Sequence, residues 1–145
     1  RGILFDVGHG SGSFTWRVAR AALEQGFPPD TISSDIHTYN HDGPVHDLPR
    51  TLSKLLHLGM PLGDVVAAAT WRPGEHLAHV APAGLGTLAS GAPGDLSLLE
   101  LQRGSFALTD GEHRLSDGVT EHSVERLVAR SVVRAGTALA CDEPT

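Results

Sequence analysis

The order of short apolar runs and an amphipathic stretch over residues 2–35 restricts the fold more than any other feature of the sequence. Gly2 to Val7 ("GILFDV") is short, apolar and followed by Gly8-His9-Gly10, the pattern of a buried strand. Ser13 can cap a helix over Phe14 to Gln25, in which Phe14, Val18, Ala21, Ala22 and Gln25 share one side. Gly26 suits the position after the helix, and Pro28-Pro29 prevents its continuation. Thr31 to Ser34 forms a second short run that ends on Asp35. A strand, a helix and a strand in so few residues predict a βα unit feeding a parallel neighbour.

Downstream, His37 to His46 ("HTYNHDGPVH") is a polar loop. Asp47 can cap a helix with Pro49 in its first turn, running to about Leu58 and stopping at Gly59. Pro61 opens another helix that Pro73 ends, and a short apolar turn follows around His76 to Val80. After Pro82 the pattern changes to glycine-rich and then extended sequence. Strands are expected around Leu96–Leu101, at Phe106–Leu108 and through "RLVARSVVRAGTAL", where Gly136 marks a turn. The first half thus reads as α/β and the second as all-β, with the boundary near Ala81 to Gly84.

Composition narrows the partners. The chain is 40% hydrophobic and 19% charged, enough apolar content for a core. Its formal net charge of -6 argues against nucleic acid as a partner, because phosphate binding wants a basic face. No apolar run reaches membrane-spanning length. The single cysteine, Cys141, cannot form an internal disulfide and has no zinc-knuckle spacing around it. These features are compatible with a reducing cytoplasm, the expected location.

Nine histidines is a high count, and their positions matter more than their number. The C-terminal ends of strands in a parallel α/β fold face the ligand side. Asp35 at such an end can bind a metal or move a proton, or simply cap a turn, and local spacing supports both equally. His9 ends the preceding strand, and Gly8 and Gly10 beside it would let a substrate approach the backbone. His9 and Asp35 on neighbouring strand ends would point into one mouth. His37, two residues after Asp35, would aim the same way if the strand continued. His41 and His46 read as a solvated polar loop. His57, His76, His79, His113 and His122 carry no signal for chemistry. The stretch "GHGSGS" lacks both the phosphate-loop ending and dinucleotide-fingerprint spacing.

Four phrases taken together resemble the amidohydrolase superfamily, in particular its amidohydrolase/deacetylase branch, which is related to dihydroorotases. They are "ILFDVGHGSGSF", "AALEQGFPPDTISSDIHTYN", "GPVHDLPRTLSKLLHLGMPLGDVVAAATWRP" and "LGTLASGAPGDLSLLEL", and they cover most of the chain. The resemblance implies an α/β fold: the C-terminal portion of a (β/α)8 metal-dependent hydrolase barrel, followed by part of a small β-sandwich. Residues 1–82 would be the last two βα units of the barrel, with Gly2–Val7 on the seventh strand and Thr31–Asp35 on the eighth. Residues 83–145 would belong to the composite β-sandwich. It further implies one or two divalent metal ions, zinc in most members, and Asp35 as the eighth-strand aspartate that contacts the metal and carries the proton. His9 is assigned to substrate binding or orientation together with Gly8 and Gly10, and His37 to a substrate contact.

The departures are as informative. The superfamily's metal site also needs a His-x-His pair, a bridging lysine and two further histidines. No His-x-His occurs, and Lys54, the only lysine, lies in the helix predicted after the eighth strand. One carboxylate does not hold zinc, since a catalytic site usually takes three protein ligands. The resemblance therefore implies a fragment or truncated product that is inactive alone. The intact enzyme would hydrolyse an amide, or an acyl ester, of a small-molecule acylated substrate, with no nucleic acid or membrane involved and a homo-oligomer allowed. Two rivals stand beside it: a dihydroorotase-like cyclic amidase, and a non-catalytic remnant or histidine-rich metal-binding module.

Overall fold

The computed structural model describes residues 2–111, 118–139 and 141. The chain runs β1 (Asp6–Gly8), α1 (Trp16–Glu24), β2 (Thr31–Ser33), α2 (Leu48–His57), α3 (Leu62–Ala69), α4 (Trp71–His76), β3 (Leu96–Thr109), β4 (Thr120–Arg134) and β5 (Thr137–Leu139). The strand–helix–strand order closes as a parallel pair, with Asp6 opposite Thr31, Val7 opposite Ile32 and Gly8 opposite Ser33. β3, β4 and β5 form a separate antiparallel sheet in that order.

The parallel pair is shorter than the apolar run suggests. Ile3, Leu4 and Phe5 precede the paired residues and are exposed, Ile3 at 69%. Among the described residues this sheet has only two strands, so no further layer covers them. Phe5 is nevertheless tied to the start of β2: its N–H donates to Asp30 Oδ2 (2.9 Å) and its carbonyl accepts from Asp30 N (2.9 Å).

The helix caps follow the residues that can supply an oxygen. Thr15, not Ser13, caps α1, because its side chain accepts from Val18 N. Asp47 caps α2 by accepting from Arg50 N, and a proline occupies the first turn. Pro73 does not end a helix. The chain breaks at Thr70, and Pro73 sits in the first turn of α4, where its missing N–H costs nothing.

The extended half is longer and simpler than its sequence suggests. The two strands expected before residue 110 are one continuous strand, β3, with irregularities between Leu98 and Leu99 and between Arg103 and Phe106. Those bulges interrupt the alternation that would otherwise mark one strand. Between β4 and β5 the turn is Ala135-Gly136, both with positive φ (48° and 76°), as a two-residue hairpin requires.

One core joins the two halves. Phe14, Trp16, Ile32, Leu52, Leu55, Met60, Val65 and Ala68 pack with Leu108 of β3 and Leu127 of β4. In α2 the consecutive residues Thr51, Leu52, Ser53, Lys54 and Leu55 are all buried. A surface helix buries one stripe; α2 is enclosed on several sides. Ser53 Oγ–H donates to Pro49 O (2.7 Å), and the same oxygen accepts from Leu127 N (2.8 Å), which fixes α2 to β4. Among the described residues no helix is long and apolar enough to cross a membrane.

Candidate active site

Register alone assembles the site's floor. Asp6 and Gly8 of β1 lie opposite Thr31 and Ser33 of β2, so these four positions share one face. Val7 and Ile32 face the other way, into the core. Asp6 is held from two sides: Thr31 Oγ1 donates to Oδ1 (2.7 Å) and Ser33 Oγ to Oδ2 (2.6 Å). Past the strand ends, Ser13, Ser34, Asp35 and Ile36 continue the wall of an open cleft of about 660 Å³.

Asp35 is exposed at this mouth, with φ at +48°. A left-handed backbone is uncommon outside glycine, though aspartate tolerates it better than most residues. Gly10 makes room for the carboxylate: a Cβ there would lie 2.6 Å from Asp35 Oδ2 and 3.2 Å from Ser13 Oγ. Gly8 is less tight, with a Cβ meeting Ser33 Oγ at 3.2 Å and Asp35 Cβ at 3.4 Å. Both glycines therefore bring the β1 turn close to Asp35, in addition to any approach they leave open to a ligand.

His37 stands beside the mouth. Its Nδ1 accepts from Tyr39 N (3.2 Å), so Nε2 carries the proton and donates to Ser11 Oγ (3.2 Å). This bond joins the loop after β2 to the glycine-rich turn after β1. Asn40, which no sequence signal singles out, is buried and bonds to both Asp35 O and His37 N.

His9 does not open onto the mouth. It is fully buried and stacked on Phe14 (5.1 Å between centroids). Its Nδ1 lies 2.9 Å from Gly10 O, and a carbonyl can only accept, so Nδ1 carries the proton. Nε2 is then the acceptor for Lys54 Nζ at 2.6 Å. Lys54 also donates to Pro44 O (2.9 Å) and Thr109 O (2.6 Å). The three acceptors match the three protons of an ammonium. Burial, then the Lys54 charge, lowers His9 to about 4. Burial, then Arg50, lowers Lys54 to about 7, while Asp110 pulls it back up. With the higher of the two values, Lys54 holds the pair's proton.

Sequence reasoning missed Asp6, Asn40 and Lys54. Asp6 had a signal: a charge inside an apolar run, two residues before Gly8 and therefore on its face. Lys54 had a weaker one, a lone lysine between Ser53 and Leu55 in an amphipathic helix. Of the remaining histidines, His57 is half-buried and bonds to Glu121 Oε2 (2.9 Å), while His76, His79 and His122 are exposed. His41 and His46 border a different cleft of about 840 Å³, walled also by Arg50 and Arg126. Burial lowers the His46 pKa, with Arg50 and Lys54 adding to the effect. His113 lies outside the described residues. Among the described residues no three of His, Cys, Asp and Glu come together in a way that could hold a metal ion.

No protein-family model matches the chain. It is 35% identical over 128 residues, 88% of its length, to a deacetylase of Enterococcus faecalis, of which it spans 32%. Over 72 residues it is 47% identical to a deacetylase of Brucella anthropi, spanning 18% of that protein. A deacetylase of Agrobacterium fabrum matches at the same identity over the same share. The crystal structure of an adenine deaminase superposes with a TM-score of 0.85 at 32% identity, covering 97% of this chain and 36% of that one. That of a dihydroorotase gives 0.79 at 32% identity, covering 96% and 36%. The chain thus spans about a third or less of each of these relatives.

Proposed function

Because this chain belongs to the amidohydrolase superfamily, we propose that it carries the Asp35 side of the active site of a metal-dependent hydrolase acting on C–N bonds, a deacetylase in the first instance. In this reading β1 and β2 are the seventh and eighth strands of a (β/α)8 barrel, and β3 to β5 are part of the composite β-sandwich. The parallel pairing of β1 with β2 around α1, followed by a switch to an antiparallel sheet, supports it. The observation that carries the reading is the placement of Asp35. Its carboxylate is exposed at the C-terminal mouth of the parallel pair, where barrel enzymes keep their chemistry.

A divalent metal, zinc by the resemblance, would supply Lewis acidity to such a reaction. The described residues do not fit one by themselves, since no three candidate ligands converge and a catalytic zinc takes three. Asp35 is the residue here that would contribute to it. What Asp35 itself does is a proton transfer. As the attacking water forms its bond to the acyl carbon, the carboxylate takes the water's proton. As the C–N bond breaks, it returns that proton to the leaving nitrogen. His37, bonded to Ser11 beside the cleft, would contact the acyl substrate. His9 acts as an orienting residue behind Gly10. A cytoplasmic location and a small acylated substrate complete the proposal.

The test is Asp35→Asn in the protein expressed from the complete reading frame, assayed on N-acetyl-amino acids and an O-acetyl ester. General acid–base loss predicts a kcat lower by about 10²–10⁴-fold with KM little changed. An unchanged kcat overturns the reading. The dihydroorotase likeness favours a second reading, a cyclic amidase. Ring opening of dihydroorotate in preference to the acetylated substrates would select it.

A further inference from the structure

Asn40 is 1% exposed, in a loop whose neighbours Thr38, Tyr39 and His41 are open to solvent. A buried carboxamide is expected to find partners for both ends. Both ends of this one go to the backbone of the candidate site. Oδ1 accepts from His37 N at 2.7 Å, and Nδ2 donates to Asp35 O at 2.9 Å. The partners fix the amide's orientation, because an N–H can only donate and a carbonyl can only accept. Asn40 N also donates to His37 O at 3.0 Å, which closes the turn around residues 37–40.

Asp35 needs such a partner. Its φ of +48° is a conformation that persists only where surrounding structure enforces it. On one side Gly10 leaves the space into which the carboxylate fits. On the other, the Asn40 amide holds the carbonyl of the same residue. Released from that bond, Asp35 can relax towards ordinary φ and carry its carboxylate away from Gly10.

We propose that Asn40 is the positioning residue of this site, holding Asp35 in its left-handed conformation and His37 beside it. The inference rests on Asp35 being the proton carrier. Asn40 does not touch the reacting atoms; it acts through Asp35.

Two substitutions test it in the protein expressed from the complete reading frame. Asn40→Ala removes both bonds. Asn40→Asp keeps size and the acceptor for His37 N but sets an oxygen against the Asp35 carbonyl, and it decides the matter if the alanine variant does not fold. Crystal structures should show Asp35 moved to negative φ in each variant; an Asp35 that stays in place overturns the proposal without reference to any substrate. On N-acetyl-amino acids, kcat should fall at least tenfold with KM within threefold. Combined with Asp35→Asn, Asn40→Ala should cost less than a further twofold, because both act through one carboxylate. A full multiplicative loss would show that Asn40 acts elsewhere. If Asp35→Asn alone keeps its kcat, the proton-carrier reading fails, and the crystal structures still report whether Asn40 holds Asp35.

Discussion

The Lys54 ammonium lies 2.6 Å from His9 Nε2, and neither residue has any exposed surface. The pair couples three stretches of chain: the turn after β1 through His9, the loop before α2 through Pro44, and the end of β3 through Thr109. Asp110 follows at the end of β3, itself buried, with Oδ2 accepting from Trp16 N (3.0 Å) and Oδ1 from Val119 N (2.8 Å). A buried charge is tolerated when it is hydrogen-bonded and feels an opposite charge; Lys54 has three acceptors, and the Asp110 carboxylate favours its charged form.

Removing that ammonium should be costly. Lys54→Met leaves His9 Nε2 and two carbonyls without a donor, and each stranded group costs about 1–3 kcal/mol. Urea denaturation of the protein expressed from the complete reading frame should show a loss of at least about 2 kcal/mol. A variant as stable as the parent would mean that water replaces the lysine without penalty.

Stability should depend on pH through the same pair. Burial holds His9 near 4 and Lys54 near 7 in the folded state, against ordinary values of 6.5 and 10.5. As pH falls, the unfolded chain therefore takes up each proton first. Stability should drop between pH 6.5 and 4 through His9, and should rise between pH 7 and 10.5 through Lys54. Measured against His9→Gln and Lys54→Met respectively, each slope should be shallower in its variant by the contribution of the replaced group. Parallel curves for parent and variant would contradict the assignment.

Gly10→Ala should disturb the site more than the fold. Its φ of +52° is strained for alanine by about 1–2 kcal/mol, and its Cβ would press on Asp35 Oδ2. The expected result is a protein that still folds, with kcat on acetylated substrates at least tenfold lower. A Gly10→Ala enzyme with unaltered kcat would show that the carboxylate need not sit against the turn.

Ser53→Ala provides the contrast. It strands Leu127 N–H in the core and should cost about 1–3 kcal/mol of stability. The Ser53 hydroxyl bonds to Pro49 O and Leu127 N, which tie α2 to β4, so kcat should be unchanged once folded protein is counted. A fall in kcat would mean that α2 and β4 govern the mouth directly.

The 145-residue chain by itself is expected to show no hydrolase activity. Its described residues bring together no set of metal ligands. Turnover of an acetylated substrate by the isolated chain, abolished in Asp35→Ala, would refute this.

Local chemistry was enough to place the strand–helix–strand order, the Asp47 cap, the hairpin at Gly136 and Asp35 at a strand end. Each of these depends on residues close together in the chain: a cap oxygen reaches three residues ahead, and a short apolar run gives way to polar residues at its end. The family resemblance, too, was legible in contiguous phrases. What sequence could not decide was which side chains face each other across long separations. His9 and His37 both follow short strands of the parallel pair, yet one is sealed under Phe14 by a lysine 45 positions away, and the other lies beside the mouth. The bulges of β3 hid one strand as two, because a bulge disturbs periodicity without ending the pairing with β4. The sequence placed Lys54 in a helix but not its burial there, which packing of α2 on several sides decided. Asn40 had no signal at all, since its role depends on the left-handed turn that its own amide helps to hold. Burial and directional bonds between distant residues are properties of the packed chain, and only tertiary structure chose among the partners that the sequence left open.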